Sequence, residues 1–409
     1  MRTAVIGGGA AGLFAACRLA RAGAEVVLLE KQTRVGRKLL STGNGRCNLS
    51  NLHASPADYR GDARYIKSAL RALSPEDAMA RFASMGVLCA PDDAGRVYPI
   101  SGQAAGVLDA LRLCAAECGC ETVTEFEVSK IARRNNRFII TAVDHRAVEA
   151  DFALIACGGL AAPKLGGCGD GYRLLERFGH EISPRLPAIA AIKTDPAAVR
   201  ALKGIRMRGE IALVRGDSIL RSEEGEILFG DGSVSGIAAM QLARTLNLEL
   251  RKGHDCALRL NFLPGAQPDL IDRRAAQLPL RAMEDFLSGI VPKRLGQVLL
   301  RAAGIEKLSL TAAELTPAQR RAIYGALTGW TLPARGTLGF DQAQVTCGGA
   351  KLEGFDPDTL ESRTTPGLFA AGEVLDVDGD CGGFNLHWAW ASAELAAAEI
   401  LRREGRMRP

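Results

Sequence analysis

The chain has 409 residues, 47% of them hydrophobic and 24% charged, with a formal net charge of +5. That length has room for two or three domains and a large core, and the proportions exclude a disordered chain, a collagen-like fibre or a small disulfide scaffold. A charge of +5 is too mild to demand a nucleic-acid partner, although it helps hold an anionic cofactor.

Eleven cysteines include no C-x-x-C pair, and Cys118-Gly119-Cys120 is the tightest spacing. No basic segment with an apolar run precedes the first apolar stretch, and no run of about 18 apolar residues exists to span a bilayer. These features lead to the expectation of a cytoplasmic protein with reduced thiols and no membrane partner.

Thr3-Ala4-Val5-Ile6 reads as a strand buried on both faces of a parallel sheet. Gly7-Gly8-Gly9-Ala10-Ala11-Gly12 follows and fits G-x-G-x-x-G. Residues 10–21 read as an Ala- and Leu-rich helix, Gly23 breaks it, and residues 25–29 resume strand character before Glu30. Gly7 suits the tight turn, Gly9 the approach of a pyrophosphate, and Gly12 the close packing of helix on sheet. The N-terminus of the helix, at Ala10 and Ala11, offers N–H groups to an anion. Glu30 stands near the ~20-residue spacing expected of the acid that binds a ribose hydroxyl. A Gly-rich turn alone would not bring strand, helix, second strand and acid together in this order, so a dinucleotide site is expected.

Residues 31–51 interleave Gly36, Gly43 and Gly45 with Arg37, Lys38, Arg46 and the amides of Asn44 and Asn48. Such a loop can wrap an anion with backbone N–H groups while offering cations. Residues 57–85 look helical, with Ser74-Pro75-Glu76-Asp77 as a helix start. A helix is expected over 102–117, and a hairpin or meander over 121–128 and 137–143. Residues 151–159 read as a strand running into Gly158 and Gly159, with a helix ending near Gly179.

Between 184 and 339 the texture changes. Strand-like pieces at 188–194, 209–214, 218–220 and 226–228 suggest a β unit, and the Leu-, Ala- and Arg-rich stretch 242–327 suggests helices. The expected division is a discontinuous cofactor domain of 1–187 and 340–409, a β-rich insert of 188–250 and 328–339, and a helical insert of 251–327. Residues 368–371 then form a strand ending at Gly372-Glu373, and a long helix runs over 384–403. The arginines at 402, 403, 406 and 408 read as a solvated end complementing the helix dipole.

Only one complete G-x-G-x-x-G unit is present, which argues against separate FAD and NAD(P)H domains. A plain NAD dehydrogenase is one reading of a single site. The C-terminal segment favours FAD, because a flavin must be held far from the first loop. Gly372-Glu373 lies at a strand end, where ligands collect in such sheets. The helix beginning near Gly382-Gly383-Phe384-Asn385 could face the flavin carbonyl edge and stabilise negative charge there.

The runs 5–12, 36–51, 157–159 and 367–390 together resemble the family of aminoacetone oxidase-like or bile-acid-reductase-like NAD(P)/FAD-dependent flavoproteins. Gly43-Asn44-Gly45-Arg46-Cys47-Asn48 is the most specific element. The resemblance implies an α/β fold: a Rossmann-like, glutathione-reductase-type FAD domain with an inserted β-barrel-like unit and helical module. It implies that Glu30 and Lys31 bind the AMP ribose, and that Arg37, Lys38, Ser41, Thr42, Gly43, Gly45, Cys47 and Asn48 approach pyrophosphate and flavin. It implies a backbone contact from Val128 to adenine, with Cys157 and Gly158 alongside, and ribityl and flavin contacts from Gly372, Glu373, Gly382, Gly383, Phe384 and Asn385. Cys157 stands where Thr is usual and His387 where Gln is, and Gly230-Asp231 replaces a frequent Thr-His pair.

His387 and Cys381 flank the expected flavin site and are the candidate catalytic groups, the first as a proton donor, the second as a redox thiol. A packed residue in the first helical turn is the competing reading of His387. Five scattered histidines show no metal-ligand spacing, so no metal is expected. The expected activity is two-electron transfer through flavin N5 between a small organic substrate and a nicotinamide (NADH or NADPH as a transient donor) or oxygen, with the substrate at the boundary between domains. The alternative is a non-catalytic flavin-binding, regulatory or RNA-associated protein. Its support is the arginines of the insert, but aromatics are only 5% of the chain and no stacking pattern accompanies those arginines.

Overall fold

In the computed structural model, which describes residues 1–406, the chain divides into two compact units, one of residues 1–186 with 344–409 and one of residues 187–343. Strand β1 (Arg2–Ile6), helix α1 (Ala10–Arg21) and strand β2 (Glu25–Leu29) open the first unit as the βαβ pattern predicts. The Ser50–Asn51 strand (β3) follows, then helices α2 (Ala63–Ala72) and α3 (Pro75–Ala83), the latter started by a Ser74–Asp77 capping box. Strands β4 (Cys89–Pro91) and β5 (Arg96–Pro99) lead to helix α4 (Ala104–Glu117). Next come β6 (Glu121–Val123), β7 (Val128–Arg134), β8 (Arg137–Ala142), β9 (Ala147–Ala150), β10 (Phe152–Ile155) and helix α5 (Asp170–Glu176). After the second unit the chain returns as strand β11 (Leu368–Ala370) and helix α6 (Phe384–Arg403).

The organising layer is a five-stranded parallel sheet in the order β11-β10-β1-β2-β6. Its inner strands are buried on both faces, as near-continuous apolar runs require. β6 corrects the expected hairpin over 121–128. Residues 121–123 pair with β2, and the expected antiparallel turn forms around Asn135 and Asn136 between β7 and β8, with β9 completing a three-stranded sheet. A second small sheet runs β3-β5-β4.

Helix α6 runs through the middle of this unit and is buried nearly all round. Phe14 of α1, Phe82 of α3 and Trp390 of α6 meet with ring centroids 5.3–5.9 Å apart. Arg18 of α1 reaches Glu394 of α6 at 2.8 Å. The terminal arginines are paired rather than merely solvated: Arg402 and Arg403 with Glu399, and Arg406 with Glu404. Arg408 lies outside the described residues.

The second unit holds a six-stranded antiparallel sheet whose longest strands are Arg206–Arg215 and Ser218–Phe229. Its two edges meet, because Lys193 N–H donates to Gly336 O and Arg335 N–H to Lys193 O, so the sheet closes on itself like a barrel. Helices Leu270–Gln277, Lys293–Ala302 and Pro317–Gly329 supply the helical part. The strand Cys256–Asn261, inside the stretch expected to be helical, joins the sheet between Arg206–Arg215 and Trp330–Ala334. Helix Ala243–Arg251 opens the stretch 242–327 that reads as helical, although it lies within the bounds drawn for the β-rich insert. No helix among the described residues is long and apolar enough to cross a membrane.

Candidate functional site

The turn from β1 into α1 is built on its glycines. Gly7 has φ +106°, and a Cβ there would stand 2.5 Å from the Ala156 carbonyl oxygen. A Cβ on Gly12 would stand 1.9 Å from Gly7 O, so helix and strand meet backbone to backbone. Gly9 differs: it is the N-cap of α1, makes no side-chain cap bond, and has nothing within 4 Å of its would-be Cβ among the described residues. Ala10 and Ala11 open the helix behind it, so N–H groups and the positive helix end face that open space.

Glu30, just beyond β2, accepts from Gly8 N–H (2.8 Å) and Gln32 N–H (2.7 Å), one bond on each oxygen. A carboxylate has about four acceptor positions, so it retains capacity for two hydroxyls. Burial pushes its pKa above the ordinary value, and the surrounding N–H groups oppose that rise. Phe126 N–H donates to Glu30 O, and Lys31 bridges Glu127 (3.0 Å) and Asp170 (2.9 Å), which brings the start of β7 and Val128 to the same place. Val128 is buried and is followed by a bulge in the β7–β8 ladder. Cys157 lies just past β10, its Sγ 3.4 Å from Ile6 O, and burial pushes its thiol pKa upward. Gly158, at φ +72°, has open space on its Cβ side.

The loop 31–51 is tied at three points. Arg37 bonds Gln32 Oε1 (2.6 Å) and Lys164 O (3.0 Å). Lys38 Nζ pairs with Glu373 Oε2 at 2.7 Å, joining the loop to the turn after β11. Asn48 donates its amide to Ser50 O (3.0 Å) and Val97 O (3.2 Å) and accepts from Gly383 N–H (3.1 Å), joining the loop to the start of α6. Gly43 and Gly45 have left-handed backbone, and Cys47, fully buried, does too at φ +58°. Burial pushes the Cys47 thiol up to about 12. The Ser41 and Thr42 hydroxyls are spent on Lys38 O and Leu39 O, so these two residues shape the turn.

At the other end, α6 clamps Gly372 from both sides. Its N–H donates to Ser392 Oγ (2.9 Å), and its carbonyl accepts from Trp388 Nε1 (3.1 Å). Glu373 Oε1 accepts from Thr346 N–H at 2.8 Å. Gly382 and Gly383, both with positive φ, make the turn into α6, and Gly383 is its N-cap without a side-chain cap bond among the described residues. Asn385 does not offer its amide outward, since it accepts from Gly379 N–H (2.8 Å) and donates to Gly379 O and Asp380 O. Phe384 packs edge-on against Tyr59.

The two candidate catalytic groups fare poorly. His387 has no exposed surface, and its Nδ1 lies 2.9 Å from Ser50 Oγ. Burial lowers its pKa to about 4, so it is neutral at physiological pH. A side chain without exposed surface does not meet a substrate, and His387 instead locks α6 to β3. Cys381 is half-buried with its pKa raised by burial, the opposite of what a reactive thiolate needs. Among the described residues no group of three or more His, Cys, Asp or Glu could hold a metal ion. Sequence reasoning missed Thr346, Trp388 and Ser392. The last two lie one helical turn apart on α6, a spacing visible in the chain, whereas Thr346 had no local signal.

The chain is 36% identical over 409 residues to a 3-dehydro-bile acid delta(4,6)-reductase of Clostridium scindens, covering 98% of this chain and 99% of that one. It is 28% identical over 413 residues to a ribosomal RNA dihydrouridine synthase of Haemophilus influenzae, covering 98% of each. Among solved structures, a 3-ketosteroid delta1-dehydrogenase from Sterolibacterium denitrificans superposes with a TM-score of 0.52 at 13% identity, over 98% of this chain and 99% of that one, which is a likeness of fold. The family model described as the HI0933-like protein Rossmann domain matches residues 1–399, and the chain belongs to that family.

Proposed function

We propose that this protein is an FAD-dependent oxidoreductase that adds two hydrogens across a carbon–carbon double bond conjugated to a carbonyl. The observation that carries the FAD reading is the gathering, in one compact unit, of an uncapped α1 N-terminus at open Gly9, the Glu30 carboxylate, the Lys38–Glu373 bridge and the uncapped Gly383 start of α6. These residues fit a long dianionic dinucleotide: open space stands where the backbone would approach it, and acceptor capacity stands where a ribose would bind. FAD, when bound, supplies a two-electron hydride carrier.

The chain's own residues divide the remaining work. Gly9, Ala10 and Ala11 receive the pyrophosphate on backbone N–H groups, and Glu30 holds the ribose. Val128, Cys157 and Gly158 line the adenosine half. Lys38, through Glu373, fixes the turn that meets the ribityl part. The N-terminus of α6 at Gly382 and Gly383 would hold positive partial charge against the flavin ring and favour its reduced, electron-rich form.

The double-bond reading draws on the relatives. One name describes a reductase of positions 4 and 6 of a 3-dehydro bile acid, the other the making of dihydrouridine, and both chemistries hydrogenate a C=C conjugated to a carbonyl. NADH or NADPH is the transient donor. Anaerobic rapid mixing of the FAD-loaded protein with each nicotinamide, then with a neutral cyclic enone, tests the reading. Bleaching of the visible flavin band and its return on enone addition are expected. Protein that gains no flavin absorption when FAD is added would sink the proposal.

A second reading keeps the chemistry and changes the acceptor to uracil in RNA. The observation in its favour is that the second unit carries 21 Lys and Arg against 16 Asp and Glu, the whole of the net charge. Retention of an rRNA fragment that falls steeply with salt would promote it over the small-molecule reading.

A further inference from the structure

Resting on the reading of a conjugated enone as substrate, we infer that Arg46, stacked on Tyr98, selects substrates that carry a carboxylate. Arg46 is exposed between Gly45 (φ +82°) and Cys47 (φ +58°), and Cys47 is fully buried. Left-handed backbone at a non-glycine residue is strained, and such strain persists only when the surroundings fix it. Here they do: Cys47 N–H donates to Thr42 O at 3.0 Å, Leu49 N–H to Val97 O at 2.8 Å, and Asn48 bonds the start of α6. The strained, doubly anchored segment presents one cation.

That cation is already oriented. Its guanidinium carbon lies 4.2 Å from the centroid of the Tyr98 ring, which fixes the plane and leaves the N–H edge free for bidentate bonding to a carboxylate. Tyr98 and Arg96 share the outer face of β5, while Val97 and Pro99 are buried on the other. Arg96 is neutralised by Asp92 at 2.8 Å, but Arg46 has no ion pair among the described residues. Asn51, paired with Arg96 in the β3–β5 ladder, donates to Gly382 O at 3.0 Å, so this face adjoins the turn into α6. An anion held by Arg46 would therefore dock beside the end of the cofactor where reduction occurs.

Charge argues for a small monoanion rather than a polyanion. The first unit carries 30 Lys and Arg against 30 Asp and Glu, so it has no net positive charge to draw a polyanion. One uncompensated guanidinium matches one carboxylate.

The test titrates the oxidised, FAD-loaded full chain with a 3-oxo-4-ene steroid bearing a side-chain carboxylate and with its methyl ester, reading the flavin difference spectrum. The acid is expected to bind about tenfold more tightly than the ester, or about 1.4 kcal/mol. Arg46→Met should bring the acid down to the ester's affinity, and Arg46→Lys, which keeps charge but not the planar fork, should restore only part. Flavin content and circular dichroism of each variant report on folding. Equal binding of acid and ester by the parent protein, no spectral response to the acid, or an acid preference that survives Arg46→Met would each overturn the inference. A uridine-containing RNA hairpin that perturbs the flavin through Arg46 in preference to the acid would overturn it too. Turnover of a neutral enone by the same preparation reads the proposed function separately: turnover without an Arg46-dependent preference removes this inference alone.

Discussion

Gly9 and Gly12 lie three residues apart in one turn and make opposite demands. Nothing stands near the would-be Cβ of Gly9, whereas that of Gly12 would collide with Gly7 O at 1.9 Å. Gly9→Leu should therefore cost the apo fold no more than about 1 kcal/mol and abolish FAD retention. Gly12→Val should destabilise the apo protein by about 1–3 kcal/mol or more, whether or not FAD is offered. Thermal melts of apo protein beside flavin absorption after reconstitution separate the two. His387 makes a pH prediction. Its folded pKa of about 4 lies below the ordinary value, so its contribution is present above pH 6.5 and is lost as pH falls toward 4. That loss is on the order of 3 kcal/mol. His387→Gln, which can still bond Ser50, should flatten this part of the profile in urea unfolding at stepped pH. These residues also show what one dimension conceals. The backbone roles of Gly7 and Gly12 are specified by neighbours in the chain and could be read. Ser41, Thr42 and Asn385 each bond a nearby backbone group, which only the folded chain reveals.

Helix α6 is the element on which the site depends, and its bounds were legible because two glycines precede it and arginines end it. Its role as a clamp was not, because that depends on where Gly372 lies in space. Ser392→Ala leaves the buried Gly372 N–H without its acceptor, which should cost about 1–3 kcal/mol and weaken FAD binding roughly tenfold. Urea unfolding and a flavin-fluorescence titration measure the two effects. β6 was assigned to the wrong partner because its true neighbour, β2, lies some 90 residues earlier. The strand Cys256–Asn261 alternates buried and half-buried residues as a strand should. Its Leu- and Arg-rich surroundings, read by composition, outweighed that alternation.

At the scale of the molecule, the first unit is assembled from the two ends of the chain, and side chains of the early loop bond the late turns and helix α6 directly. Lys38 finds Glu373, Asn48 finds Gly383, and Ser50 finds His387. The motif at residue 7 and the glycine turn at residue 382 each carry a local signature, whereas no pattern in the chain shows that the two ends share one unit. The charge is divided as sharply as the fold, with the first unit neutral and the second carrying the excess.

The proposed function requires FAD to extend from the α1 turn to the start of α6 and to pass hydride to a conjugated double bond. It is tested most directly by titrating the chemically reduced, FAD-loaded protein with a cyclic enone under anaerobic conditions while following the visible flavin band. Full return of the band is expected at one equivalent of enone, and none with the matching saturated ketone. A band that the enone fails to restore, or that the saturated ketone restores equally well, would contradict it.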